Sequence, residues 1–256
     1  MSSSAEPKLT FHRLMLRCDK SDESIVNASP WNWSIYMGER LSVMSSNSFM
    51  KYQFMATLSG FIDPVSGDFE TFGSLSWPVG GEGGLDGKLT IDKGLEFLSS
   101  IYSDCLEVSL VSVDDFFDVL QLVSIDASMS LKDLVKGQKD FFYMMLSILF
   151  SFDIYLVPRS KFLMTKEAKP LRNLLHKQLS DSKSLVSATV NNRFRREFCN
   201  RGMVLGPLGE ILFHGDLEEA IAYEQENVMI QSRSESEENQ IDLASHLTNS
   251  NSNSDY

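Results

Sequence analysis

The sequence predicts an α+β protein: a small β-containing N-terminal part, a mainly helical C-terminal core and a disordered acidic tail. Three observations carry this reading. Before the cluster Gly80-Gly81-Glu82-Gly83-Gly84, short runs of aromatic and β-compatible side chains are bounded by Ser, Asn and Gly. After it, apolar residues recur every three or four positions. From Gln231 onward the chain is Ser, Asn and acidic residues with few apolar anchors. The expected divisions are 1–79 for the β-containing part, 80–90 for a Gly-rich linker or loop, 91–230 for the helical core and 231–256 for the tail.

Each element has its own signal. Leu9–Arg17 alternates roughly, and Ile35–Met44 and Phe49–Leu58 are compact aromatic and aliphatic runs. Ser29-Pro30 and Asp63-Pro64 mark turns, because the residue before Pro is pushed out of helical space. Trp31 and Trp33 share a face if extended. Five glycines between positions 80 and 87 disfavour regular structure. Asp92 can cap a helix bearing Leu95, Leu98, Ile101, Tyr102 and Cys105, and Leu106–Val113 reads as a weak strand. Asp114 opens a helix through Phe116, Phe117, Leu120 and Val123; Ser130 opens another that runs into Phe141–Phe152. Ile154–Val157 extends that run to Pro158. A membrane span needs roughly 20 apolar residues, so a buried core helix is expected. Pro170 suits a first helical turn before Leu171, Leu174, Leu175 and Leu179. Val186, Val190, Phe194 and Phe198 step by four through one helix stopped near Gly202. Met203–Leu205 and Ile211–Phe213 form a hairpin around Gly206-Pro207-Leu208-Gly209, and Asp216 with Glu219 caps a last helix from Leu217 to about Ile230.

Composition narrows function. At 43% hydrophobic and 23% charged the 256-residue chain is globular. Cys18, Cys105 and Cys199 are odd in number and far apart, which implies a reducing compartment and no disulfide framework. The polar start, Met1 to Thr10, does not read as a secretory signal. The net charge of −12 is uneven: Arg159–Arg201 carries +8 and Glu210–Tyr256 carries −10. A basic segment between acidic ones can meet nucleic acid, an acidic partner or its own tail.

No catalytic, cofactor-binding or metal-binding constellation emerges. A dinucleotide site needs a strand before the glycines and a helix opening within them, but Gly81-x-Gly83 continues into Leu85 and Asp86 in place of a third fingerprint glycine, and Gly87-Lys88 is followed by Leu89 where a phosphate loop needs Ser or Thr. His12, His176, His214 and His246 are scattered. Cys199 follows three arginines but has no base, so a core role is expected. Arg193, Arg195 and Arg196 form a basic patch, the basis of an alternative reading as an RNA-associated accessory protein using residues 159–201. Against that, Phe194 belongs to the apolar stripe. Asp114–Val119 offers acids and rings to a basic groove, or starts a helix with buried rings. Ser232, Ser234 and Ser236 stand among acids as candidate phosphorylation sites. The expected class is a protein-binding chain, with no cofactor and no catalysis of its own.

Gly73-Ser74-Leu75-Ser76-Trp77-Pro78-Val79-Gly80 resembles a box in the nonstructural NSs proteins of phleboviruses, and the Ser-rich acidic end is similar to their tails. Leu9–Leu41 resembles the tick-borne, Uukuniemi-like branch. The resemblance implies an antagonist of the host interferon response, in the host cytoplasm or nucleus, that captures host signalling, transcription or translation-control proteins. Phe116-Phe117-Asp118-Val119 matches the aromatic-x-acidic-Val pattern by which some of those proteins bind a TFIIH subunit. Partner contacts are then expected at Trp31, Trp33, Tyr36, Trp77, Pro78 and Phe116–Val119, without a membrane span, with nucleic acid disfavoured and self-association open.

Overall fold

The computed structural model describes residues 6–179 and 182–227. The expected tail and its serines lie outside the described residues. In chain order the elements are β1 (Pro7–Met15), β2 (Ser34–Tyr36), β3 (Arg40–Ser45), α1 (Ser48–Leu58), β4 (Ser66–Thr71), β5 (Leu75–Pro78), α2 (Ile91–Ile101), α3 (Ser103–Glu107) and α4 (Val113–Gln121). A 3-10 turn (Leu131–Asp133) leads to α5 (Lys136–Leu149), β6 (Ile154–Val157), α6 (Lys169–Gln178), β7 (Ser184–Ser187), α7 (Asn192–Phe198), β8 (Arg201–Leu205), β9 (Ile211–Asp216) and α8 (Leu217–Asn227). They form two compact units. One takes the chain up to Ser76, Asp153–Ser160 and the part beginning at Asp181; the other takes Trp77–Phe152 and Lys161–Ser180.

The first unit holds both sheets apart from Trp77-Pro78 of β5. A three-stranded antiparallel sheet runs β2-β1-β4, and Leu9, Phe11 and Leu14 of β1 are buried. Phe11 packs against the rings of Trp33, Phe54 and Phe69. The β1–β4 register slips between His12 and Met15, where Arg13 takes φ 53°. Opposite stands Gly67, at which a Cβ would lie 2.2 Å from the Arg13 carbonyl oxygen, so only glycine fits this bulge.

The six-stranded sheet is ordered β5-β6-β7-β3-β8-β9. β3 lies between β7 and β8 and is parallel to both; β6 is parallel to β7, and β9 returns antiparallel to β8. Every residue of β6 and β7 is buried, as is β3 from Leu41 to Ser45. Strands buried on both faces read as continuous apolar runs.

That burial corrects the expected fold class. The C-terminal part is not a mainly helical core, since four strands of the six-stranded sheet lie between residues 154 and 216. Ile154–Val157, taken as the end of a long helix, is strand β6. α5 stops at Leu149 because the chain extends at Phe150 and Asp153 is anchored elsewhere: its Oδ2 accepts from Ser74 N (2.9 Å) and Ser74 Oγ (3.0 Å). Val186–Phe198 is strand β7 followed by α7, whose start is set by Asn191, its side chain accepting from Arg193 N and Phe194 N. Phe49–Leu58 is helix α1 instead of a strand, and Leu106–Val113 is the end of α3 and a loop into α4. The Met203–Phe213 hairpin forms as expected.

The second unit is helical. Gln178 ties its core: Nε2 donates to Ile148 O (2.9 Å) and Ser109 Oγ (2.7 Å), and Oε1 accepts from Leu110 N (3.0 Å). α5 is buried from Phe141 to Leu149. No helix among the described residues is long and apolar enough to cross a membrane.

Two polar anchors of the first unit give testable outcomes. Arg195 on α7 and Glu224 on α8 form an ion pair at 2.7 Å with side chains only 1% and 3% exposed. Glu224→Ala strands the guanidinium and is expected to cost about 3–5 kcal/mol in chemical denaturation, whereas Arg195→Met/Glu224→Leu stays near the parent. The Asp153 carboxyl is raised by partial burial, but the Ser74 hydrogen bonds together with Lys183 and Lys8 hold it, on balance, below the usual carboxylate range. Its contribution is therefore complete above about pH 4 and is lost as pH falls through the depressed value. Asp153→Ala is expected to cost about 1–3 kcal/mol at pH 7, a gap that closes in denaturation measured at strongly acidic pH.

Candidate functional site

In open α/β sheets, ligands bind beyond the carboxyl ends of the strands where strand order reverses. Here that place is the end of β3, whose two neighbours are β7 and β8, and the loop after it opens into the N-terminus of α1. A strand, a tight loop and a helix start cradle phosphate when the loop reads G-x-x-x-x-G-K-[ST]: glycines let the backbone amides close round the oxygens, Lys reaches the outer phosphates, and the hydroxyl meets magnesium. The spacing is present at residues 45–52 but the residues differ. Ser45 and Met50 occupy the glycine positions, Lys51 is retained, and Tyr52 replaces the Ser or Thr.

The loop's polar groups are engaged with one another. Asn47 caps α1, its Oδ1 accepting from Met50 N at 3.0 Å, while its carbonyl accepts from Lys51 N at 3.3 Å. Asn47 N donates to Ser45 Oγ (3.1 Å). The Asn47 amide also donates to Cys18 O (2.7 Å) and Pro207 O (2.8 Å), fastening the loop to two other segments. Met50 is fully buried; a Cβ at Gly209, which has φ 72°, would stand 2.9 Å from its sulfur. Lys51 is 5% exposed, and the Tyr52 phenol is pushed up by burial. Glu210, in the adjoining turn, accepts from Leu208 N at 2.9 Å.

The ends of β6 and β7 carry no carboxylate. β6 is followed by Pro158, Arg159 and Ser160, whose hydroxyl pairs with Thr189 at 2.6 Å; β7 is followed by Ala188 and Thr189. Among the described residues no cluster of His, Cys, Asp or Glu could hold a metal ion. The residues present therefore do not fit a magnesium-bound triphosphate held in the usual cradle.

The residues expected to meet partners are distributed as follows. Trp31 is 2% exposed, its indole donating to Gly209 O at 2.8 Å, and it lies 6.2 Å from the half-buried Trp33. Tyr36 is exposed. Trp77 is half-buried among Tyr102, Phe150 and Phe152, and Pro78 is buried. Phe116 is buried on α4 against Phe142, Phe117 and Val119 are half-buried, and Asp118 is exposed. The basic patch is largely answered within the chain. Arg195 is buried on Glu224, Arg196 pairs with Glu218 at 2.8 Å, and Arg193 reaches Glu197 at 3.9 Å. His214 lies 3.4 Å from Glu39, with no nucleophile assigned beside it.

No family model matches the chain. It is 25% identical over 187 residues to the polysialic acid transport ATP-binding protein KpsT of Escherichia coli, covering 72% of this chain and 84% of that protein. It is 23% identical over 192 residues to the capsule polysaccharide export ATP-binding protein CtrD of Neisseria meningitidis, covering 73% and 84%. An ATP-binding subunit of an ABC transporter superposes with TM-score 0.64 at 15% identity, over 91% of this chain and 98% of that one. The CbiO1 component of the Clostridium perfringens CbiONQ transporter superposes with TM-score 0.59 at 14% identity, over 86% and 92%. The fold is thus that of ABC ATP-binding subunits.

These likenesses overturn the phlebovirus resemblance and what it implied. Bacterial transport proteins match over most of their length, where the viral likeness rested on an eight-residue box, Leu9–Leu41 and a tail. The box itself is part of a sheet: Ser76 Oγ accepts from Leu156 N of β6 at 2.9 Å. An interferon antagonist, host signalling, transcription or translation partners, and a host cytoplasmic or nuclear location are accordingly withdrawn. The RNA-associated alternative goes with them. So does the expectation of binding without catalysis, since the relatives are named for ATP. The residues missed in the sequence were Ser45–Tyr52. Their signal was the spacing of a retained Lys51 after a run of apolar strand residues, which a search for glycines passes over.

Burial also governs the thiols. Cys18 is pushed up to about 11 by burial, reinforced by the Glu210 carboxylate, and Cys199 to about 12 by burial that outweighs the pull of Arg195 and Arg40. Native protein at pH 8 is expected to alkylate at Cys18 and Cys199 at least ~100-fold more slowly than in denaturant, as peptide mapping by mass spectrometry would read.

Proposed function

We propose that the chain is a subunit of an ABC-type export system, of the ATP-binding-subunit class, working against transmembrane subunits in the envelope of a bacterium. The observation that carries this reading is similarity spread over 84% of the length of both KpsT and CtrD, in agreement with the fold. Both relatives are named for moving polysaccharide, so a polysaccharide is the cargo class this reading favours. A likeness confined to a common nucleotide-binding core would favour no cargo. Here two named polysaccharide transporters match from different bacteria.

With no helix among the described residues able to cross a membrane, membrane attachment in this reading comes from a partner subunit. Such a partner would present its own helices to exposed surface of this chain. Tyr36 and Asp118, exposed among the residues first expected to meet partners, are the members of that set open to such a contact.

The test is made in the source organism. The tagged chain is expected in the membrane fraction, co-purifying after mild detergent with an integral membrane subunit, and deletion of its gene is expected to reduce surface polysaccharide. Recovery of the chain solely in the soluble fraction, with surface polysaccharide unchanged on deletion, would remove the reading.

A further inference from the structure

We infer that the β3–α1 loop is sealed against triphosphate, and that any ATP used by the assembly is held on another chain. The sealing rests on the geometry of the loop alone; the assignment to another chain rests on the transporter reading above.

Four observations converge on the loop. First, a phosphate cradle needs free amides at the helix start, yet Asn47 N, Met50 N and Lys51 N already donate to Ser45 Oγ, Asn47 Oδ1 and Asn47 O. A phosphate drawing on those three amides would have to displace bonds made inside the protein, and gains little by exchanging one acceptor for another. Second, the glycines are absent. Both cradle glycines are side-chain-bearing residues, and the larger, Met50, is fully buried with its sulfur against Gly209. Glycine is used in such loops because it lets backbone approach the anion closely, which Met50 prevents.

Third, the loop cannot easily swing open, because the Asn47 amide holds it to both Cys18 O and Pro207 O. Fourth, the metal half of the site is missing. Magnesium on phosphate takes one or two carboxylates and a hydroxyl. Tyr52 stands at the hydroxyl position, and the two strand ends beyond β7 and β6 continue as Ala188-Thr189 and Pro158-Arg159. Lys51 alone matches the motif, and it is buried at the head of α1. A single lysine supplies attraction for phosphate but neither the cradle nor the metal.

The experiment is hydrogen–deuterium exchange of the purified full-length chain with and without millimolar MgATP, paired with a calorimetric titration by the same probe. The expected result is unchanged exchange across residues 45–52 and no saturable heat. Saturable binding with new protection at 45–52 would overturn the sealing. Saturable binding that protects a different segment would overturn the assignment of ATP to another chain. Neither outcome affects recovery of the chain with a membrane subunit, so failure here and failure of the transporter reading are separately visible. Because the wild-type protein carries the measurement, no variant has to fold for the inference to be decided.

Discussion

The Asn47 side chain is the small interaction on which the first unit's arrangement turns. Its carbonyl caps α1, and its amide reaches Cys18 O, just after β1, and Pro207 O, in the turn after β8. One residue thereby joins the antiparallel sheet, the central strand's exit and the hairpin of the large sheet. A second polar tie lies beside it: Asn27 accepts from Leu16 N at 2.6 Å and its Cα and Cβ crowd Gly209. A buried amide is costly unless every donor and acceptor finds a partner; Asn27 is 1% exposed and has both engaged, and the half-buried Asn47 likewise uses its oxygen and its amide, which makes the geometry they impose specific. The apolar core supplies the driving force; the two asparagines determine which segments meet.

How much of this was legible follows from local punctuation and from what each element shows to solvent. Elements marked by turn or cap residues were readable: the Arg201–Leu205/Ile211–Asp216 hairpin flanks a Gly-Pro turn although β8 is buried from Gly202 to Leu205, and α6 carries Pro170 in its first turn with Leu171 and Leu175 on its buried side. Buried elements without such punctuation were not. Ile154–Val157 and Leu185-Val186 carry no alternation because both faces of the sheet are covered, so they merge by pattern into neighbouring helices. α1 fails in the opposite direction. Met50, Lys51 and every residue from Gln53 to Leu58 are buried, leaving no polar stripe to betray a helical period. The candidate site was harder still, since its recognisable residue types are gone and only their spacing survives.

Fold and site have therefore parted company in this chain. The sheet order, the parallel placement of β3 between β7 and β8, and the helix launched from β3 all persist, with TM-scores of 0.59–0.64 against ABC ATP-binding subunits. The loop that gives that architecture its chemistry is filled by Asn47 and Met50. A fold is held by many distributed apolar contacts, whereas phosphate recognition hangs on a few positions, so the second can be lost without disturbing the first. That is why overall likeness to a transporter subunit and the local reading of one loop answer different questions.

The topology also sets a problem of timing. β3 is made well before the strands that flank it: β7 begins 139 residues after the end of β3, and β8 begins 156 residues after it. At ordinary translation rates of ~5–20 residues per second, that leaves about 7–28 seconds in which Leu41–Met44 has neither neighbour. An unpaired apolar strand is a template for wrong pairing. The nascent protein must spend that interval with its future centre shielded, by α1 folding back over it or by a chaperone, before the sheet can be completed from its two sides.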